Sequence, residues 1–150
     1  MTVFPDTSFL CALYRRQVHS DQAIAFMNSA MEPLPVSSFL LLEFRQSVRL
    51  QVKLHSSDKT KGYGKREADG MLQQAQADLV AGVLQVAAVD WSDVHQIAER
   101  LSASYTETLG HRLADILHVA TALHLGTPEF LTFDTNQRKL AEAEGMSIPI

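Results

Sequence analysis

Arg112-Leu113-Ala114-Asp115-Ile116-Leu117-His118-Val119-Ala120-Thr121-Ala122-Leu123-His124-Leu125-Gly126-Thr127-Pro128-Glu129-Phe130-Leu131-Thr132-Phe133-Asp134 is the stretch whose reading decides the fold. From about Arg112 to Leu125 it reads as a helix, which Gly126 and Pro128 stop. Phe130-Leu131-Thr132-Phe133 is a short apolar strand, and Thr135 to Glu144 is a second helix closed by Gly145. A short apolar strand between segments of helical period is the sequence sign of a parallel sheet covered by helices.

The same alternation runs outward to both ends. Val3-Phe4 is a strand, and Asp6-Thr7-Ser8 supplies N-cap chemistry for a helix through Leu13. A helix fits Ser20 to Met31, a weak strand Pro33 to Val36, and a helix capped by Ser37 or Ser38 continues to about Leu54. His55 to Lys65 is a polar surface loop, Arg66 to Ala81 a helix, and Val83 to Val89 a buried strand. Ser92 caps a helix from Asp93 to about Ser104, and Met146 to Ile150 is a last edge strand, where Pro149 is tolerable. The expectation is one domain over residues 1–150, a three-layer α/β/α arrangement around a central parallel sheet of four to five strands.

Composition narrows the function. The chain has 150 residues, 46% hydrophobic and 20% charged, with 13 basic against 17 acidic residues for a net charge of -4. A chain of this size buries roughly 70% of its unfolded surface without a disulfide or metal staple. Cys11 is the single cysteine, which excludes a disulfide-stapled module and fits a reducing compartment. Neither a secretory leader nor a membrane span is legible, so a cytoplasmic protein is expected. The acidic balance argues against broad coating of nucleic acid by a basic surface.

Four acids stand out by placement. Asp6 and Asp134 each follow directly on a strand, where the ligand crevice of an open parallel sheet lies. The same position suits a helix N-cap, and both readings stay open. Glu43 sits among Leu40, Leu41, Leu42 and Phe44, and Asp115 between Leu113-Ala114 and Ile116-Leu117. A carboxylate in such surroundings either faces solvent from a narrow polar stripe or is paired. If the fold gathers the four, their repulsion calls for a counter-charge, and oxygen-only ligands favour Mg²⁺ or Mn²⁺. That chemistry suits phosphodiester hydrolysis.

Asp6-Thr7-Ser8 after a strand, Leu41-Leu42-Glu43-Phe44, the run Leu113 to Ala122 around Asp115, and Phe130 to Asp134 followed by Gln137 and Leu140-Ala141 together resemble the PIN-domain ribonucleases, and more narrowly VapC-type toxins of toxin–antitoxin pairs. The resemblance implies a Mg²⁺- or Mn²⁺-dependent endoribonuclease. Asp6 and Asp115 would be the main metal ligands, Glu43 and Asp134 would complete the pocket, and the Thr132 hydroxyl would bind a metal-bound water or a phosphate. It also implies a homodimer and a VapB-like antitoxin whose tail covers the site. Two other readings share the motif set: a housekeeping RNA-processing nuclease, and a PIN fold that binds without cleaving. A phosphoaspartate receiver would need a paired acidic couplet after the first strand, and Phe4-Pro5-Asp6-Thr7 has none.

Arg45, Arg49 and Lys53 recur at i, i+4 and i+8, Lys59 to Arg66 is basic, and Arg112 precedes Asp115, so a local basic rim is expected to hold RNA phosphates. A solvated helix face explains the same stripe. Tyr63 is a candidate for stacking on a base. His118 shares the helix face of Asp115 yet sits among Ile116, Val119 and Ala122, which reads as core. His111 and His124 form no tight metal spacing with it. Cys11 has no nearby His to make it a nucleophile, and Trp91 reads as packing.

Overall fold

A computed structural model describes residues 1–150. In chain order the elements are β1 (Val3–Pro5), α1 (Thr7–Tyr14), α2 (Ser20–Ser29), β2 (Leu34–Val36), α3 (Ser38–Ser57), α4 (Lys65–Ala81), β3 (Leu84–Val86), α5 (Trp91–Leu101), a π-helical stretch (Ser102–Thr106), α6 (Glu107–Leu109), α7 (Leu113–His124), β4 (Glu129–Leu131) and α8 (Thr135–Ala143). Side chains fix where four of these helices begin. Asp6 accepts from Phe9 N at α1, Ser37 from Leu40 N at α3, Asp90 from Ser92 N and Asp93 N at α5, and Asp134 from Asn136 N and Gln137 N at α8. The α5 cap is therefore Asp90 and not Ser92, because the carboxylate reaches two exposed amides at once.

Helices α1 to α4 pack on one another, while α5 and α8 pack on α7, which also lies against β1. The buried hydrophobic residues form one cluster, in which Phe4, Phe9, Phe44 and Phe130 are fully buried. Each such side chain contributes roughly 1.5–3 kcal/mol relative to exposure.

The paired strands are parallel, as expected, but the sheet is not continuous. β1 pairs with β4 and β2 with β3, with β1 and β2 side by side between them. The reason lies in three prolines. Asp6 N bonds to Leu131 O at 3.0 Å and Glu129 N to Thr2 O at 3.2 Å, so the even-numbered backbone groups of β1 face β4. Leu34 N to Val83 O and Ala87 N to Val36 O, both 2.9 Å, likewise turn the even-numbered groups of β2 toward β3. The seam is left to the odd positions, where Pro5, Pro33 and Pro35 have no N–H to donate. The expected terminal strand shrinks to one parallel bridge between Glu129 and Ser147. β3 is also shorter than expected, and its Gln85 and Val86 are exposed, as fits an edge strand and not a buried one.

The polar loop is shorter and tighter than the sequence suggests, spanning only residues 58–64. Gly62 adopts φ +57°, and a Cβ there would lie 2.1 Å from Gln51 O, so only glycine permits this close approach to α3. Tyr63 is 8% exposed, with the Arg15 guanidinium 4.6 Å from its ring centroid. It belongs to the core and is not a platform for a base, which corrects that expectation.

Candidate active site

Asp6 stands where β1 turns into α1, and its carboxylate is fully buried. Its Oδ1 accepts from Ser8 Oγ at 2.6 Å and Phe9 N at 3.0 Å, and its Oδ2 from Thr132 Oγ1 at 2.5 Å. Thr132, just past β4, accepts in turn from Asp134 N at 3.0 Å, while Phe133 N donates to Ser8 Oγ at 2.9 Å. Two strand ends are thus laced together by two hydroxyls. Cap and site are not mutually exclusive readings for Asp6 and Asp134, because each carboxylate caps its helix while standing at a strand end beside the other.

Glu43 comes from α3 and Asp115 from the first turn of α7. Glu43 Oε2 accepts from Thr7 Oγ1 and from His118 Nε2 in short contacts, and Asp115 Oδ2 meets Arg112 Nε at 3.4 Å. Asp115 is only 5% exposed, whereas the Arg112 side chain is 80% exposed.

The electrostatics tie the acids together. Burial pushes the Asp115 carboxyl above the usual aspartate range, the negative charges of Asp134 and Glu43 push it further, and Arg112 opposes them. Burial also raises Asp6 against the hydrogen bonds of Ser8, Thr132 and Phe9 N. Burial alone would raise Glu43 too, but the hydrogen bonds from His118 and Thr7, with the charges of His118 and Arg112, outweigh it and hold the carboxyl below the usual range. The fold therefore brings Asp6, Glu43, Asp115, Asp134 and Thr132 into one neighbourhood, with Arg112 at its edge.

Arg45 and Arg49 are not part of it. They lie about 200° and 240° around α3 from Glu43. Arg45 lines a groove with Leu41, Leu79, Leu84 and Val86, its Nη2 3.5 Å from Gln76 Oε1. Three residues that sequence reasoning passed over do belong to the site. Thr7 and Ser8 read as cap chemistry, and His118 reads as core because its neighbours are apolar. The spacing of three that puts His118 on the face of Asp115 carries the signal, and in the sequence its apolar neighbours outweigh it.

The donors suit a divalent cation. They are hard oxygens, and the repulsion felt by Asp115 is what a cation relieves. As the side chains stand, no three Asp, Glu, His or Cys groups form a ready cage, since each of the four carboxylates is turned toward protein donors. Mg²⁺ commonly needs only one or two carboxylates, with waters completing the shell.

Parallel three-residue strands with helices packed on them, and an acidic cluster drawn from two strand ends and two helices, define an α/β domain with a candidate site at the ends of β1 and β4. The chain belongs to the PIN domain family, whose model matches residues 3–143. Among solved structures it is similar to Mycobacterium tuberculosis VapC20, described as a sarcin-ricin loop cleaving toxin, at 21% identity and TM-score 0.66 over 97% of this chain and 96% of that one. It is also similar to FitAcB from Neisseria gonorrhoeae, at 19% and 0.65 over 98% and 96%. VapBC2 from Rickettsia felis, bound to a promoter DNA fragment, matches at 12% and 0.62 over 99% and 97%. No curated protein matches the sequence. No helix is long and apolar enough to cross a membrane.

Proposed function

We propose that this protein is a metal-dependent endoribonuclease, the toxin of a type II toxin–antitoxin pair, working in the cytoplasm with residues 1–150 as one PIN unit. The observation that carries the reading is the gathering of four carboxylates: Asp6 and Asp134 are joined through Thr132 at the paired ends of β1 and β4, and Glu43 and Asp134 both lie close enough to the buried Asp115 to oppose a charge that burial already disfavours. Asp6 and Asp115 would hold the ion, with Glu43 and Asp134 completing the pocket. Bound there, Mg²⁺ or Mn²⁺ supplies a Lewis acid for a phosphoryl oxygen and an acidified water.

The chain's own groups do the rest. Ser8 and Thr132 hold Asp6 and Asp134 in place, and the exposed Arg112 offers a cation to an RNA phosphate beside the acids. Arg45 and Arg49 could meet RNA only on the far side of α3. Leu42 and Leu113 stand 62% and 70% exposed next to Glu43 and Asp115. Exposed apolar side chains on the two helices that carry Glu43 and Asp115 are what a homodimer partner or a VapB-like antitoxin would cover beside the acids. The toxin role and the antitoxin draw further support from the likeness to the VapC20 toxin and to the VapBC2 complex.

The test is RNA cleavage by purified protein with Mg²⁺, Mn²⁺ or EDTA, alongside Asp115→Asn. Cleavage that needs the ion and Asp115 is expected; cleavage untouched by EDTA and by the substitution sinks the metal mechanism.

A further inference from the structure

We propose that His118 is a positioning residue: with Thr7 it fixes Oε2 of Glu43 and leaves Oε1 as the single oxygen free to face the ion or the attacking water. This deepens the reading above and rests on it. His118 is 1% exposed, its Nε2 contacts Glu43 Oε2, and Thr7 Oγ1 donates to the same oxygen. Glu43 Oε1 takes no protein hydrogen bond, on a side chain that is 30% exposed.

Packing does not account for an imidazole here. The ring lies on Phe39, centroids 5.4 Å apart, and its Nδ1 is buried with no partner. A leucine would fill similar space without stranding a polar nitrogen. The structure accepts that unmade hydrogen bond, and the return is the Nε2 contact to Glu43. Outer partners of this kind orient a ligand and confine it to one mode of binding.

The test uses the full chain with three substitutions. His118→Leu is expected to keep or raise the thermal midpoint while lowering cleavage and Mn²⁺ affinity about 10- to 100-fold. His118→Gln, whose amide N–H can reach the same oxygen, recovers most of both. Adding His118→Leu to Glu43→Gln should cost nothing further. Equal loss in the Leu and Gln variants with a fallen midpoint would make the role structural and overturn the proposal. So would a full loss that persists in the Glu43→Gln background, or wild-type cleavage and Mn²⁺ binding in His118→Leu. One arm needs neither RNA nor metal. The His118 Nε2–H should give a slowly exchanging proton resonance that Glu43→Ala abolishes; a resonance indifferent to Glu43 overturns the pairing. Failure of wild type to cleave or bind Mn²⁺, with that resonance intact, strikes the nuclease reading and not the pairing.

Discussion

The two ladders, β1 with β4 and β2 with β3, are alike in length and direction yet opposite in chemistry. The first ends in Asp6, Thr132 and Asp134, joined through the buried Thr132 hydroxyl. The second ends in Ser37, whose hydroxyl only caps α3, and in the unadorned Ala87-Ala88. Strand ends of a parallel sheet are places where a site can be built; what builds one is a carboxylate together with donors from the neighbouring strand.

The largest effect should come from the acids. Asp115→Asn is expected to reduce cleavage by at least about 100-fold without lowering the stability of the metal-free protein, since it removes a buried, repelled charge. Thermal melts with and without Mg²⁺ check this: the wild type should rise with the ion and the variant should not.

Next, the two strand ends can be set against each other. Thr132→Val removes the donor to Asp6 Oδ2 and the acceptor for Asp134 N, and should cost about 1–3 kcal/mol in urea denaturation as well as most cleavage. Ser37→Ala should cost only about 1 kcal/mol and leave cleavage near wild type. If Ser37→Ala hurts activity as much as Thr132→Val, the contrast between the ladders is wrong.

A smaller effect is expected from pH. Asp6 and Asp115 have raised carboxyls, so their protonated forms favour the fold. They contribute stability that is full below the unfolded value of about 3.9 and is lost as pH rises through their raised values. Glu43 runs the other way: its stabilisation is present above the ordinary glutamate value and is lost as pH falls through its lowered one. The Mg²⁺-induced rise should therefore fade on acidification while Glu43 is still ionised. Melts across pH 3 to 7 on wild type and Asp115→Asn, with the variant flatter, read this out.

The smallest expected change is Pro35→Val, which restores a donor on the seam. The new hydrogen bond and the lost rigidity of the unfolded chain offset each other to within about 1 kcal/mol. Hydrogen exchange should show a protected amide at residue 35.

Element order was legible because short apolar runs and N-cap residues carry local signals: Ser37, Asp6 and Asp134 cap as their neighbours require. The four acids were legible from their odd placement. The broken sheet was not, because the prolines matter only once parity tells which edge each one faces. The burial of Tyr63 was not legible because a polar loop says nothing about a glycine that lets it fold flat on α3. His118 was passed over because an apolar neighbourhood describes where a ring sits and not what its one bonded nitrogen touches.

Thr132 and Asp6 are 126 residues apart in the chain. During synthesis at about 5–20 residues per second, Asp6 therefore waits on the order of ten seconds for the hydroxyl that completes its surroundings. A nascent chain holds the acids apart until β4 has emerged and paired with β1. If the acids act as proposed, that ordering makes their assembly one of the late events of synthesis.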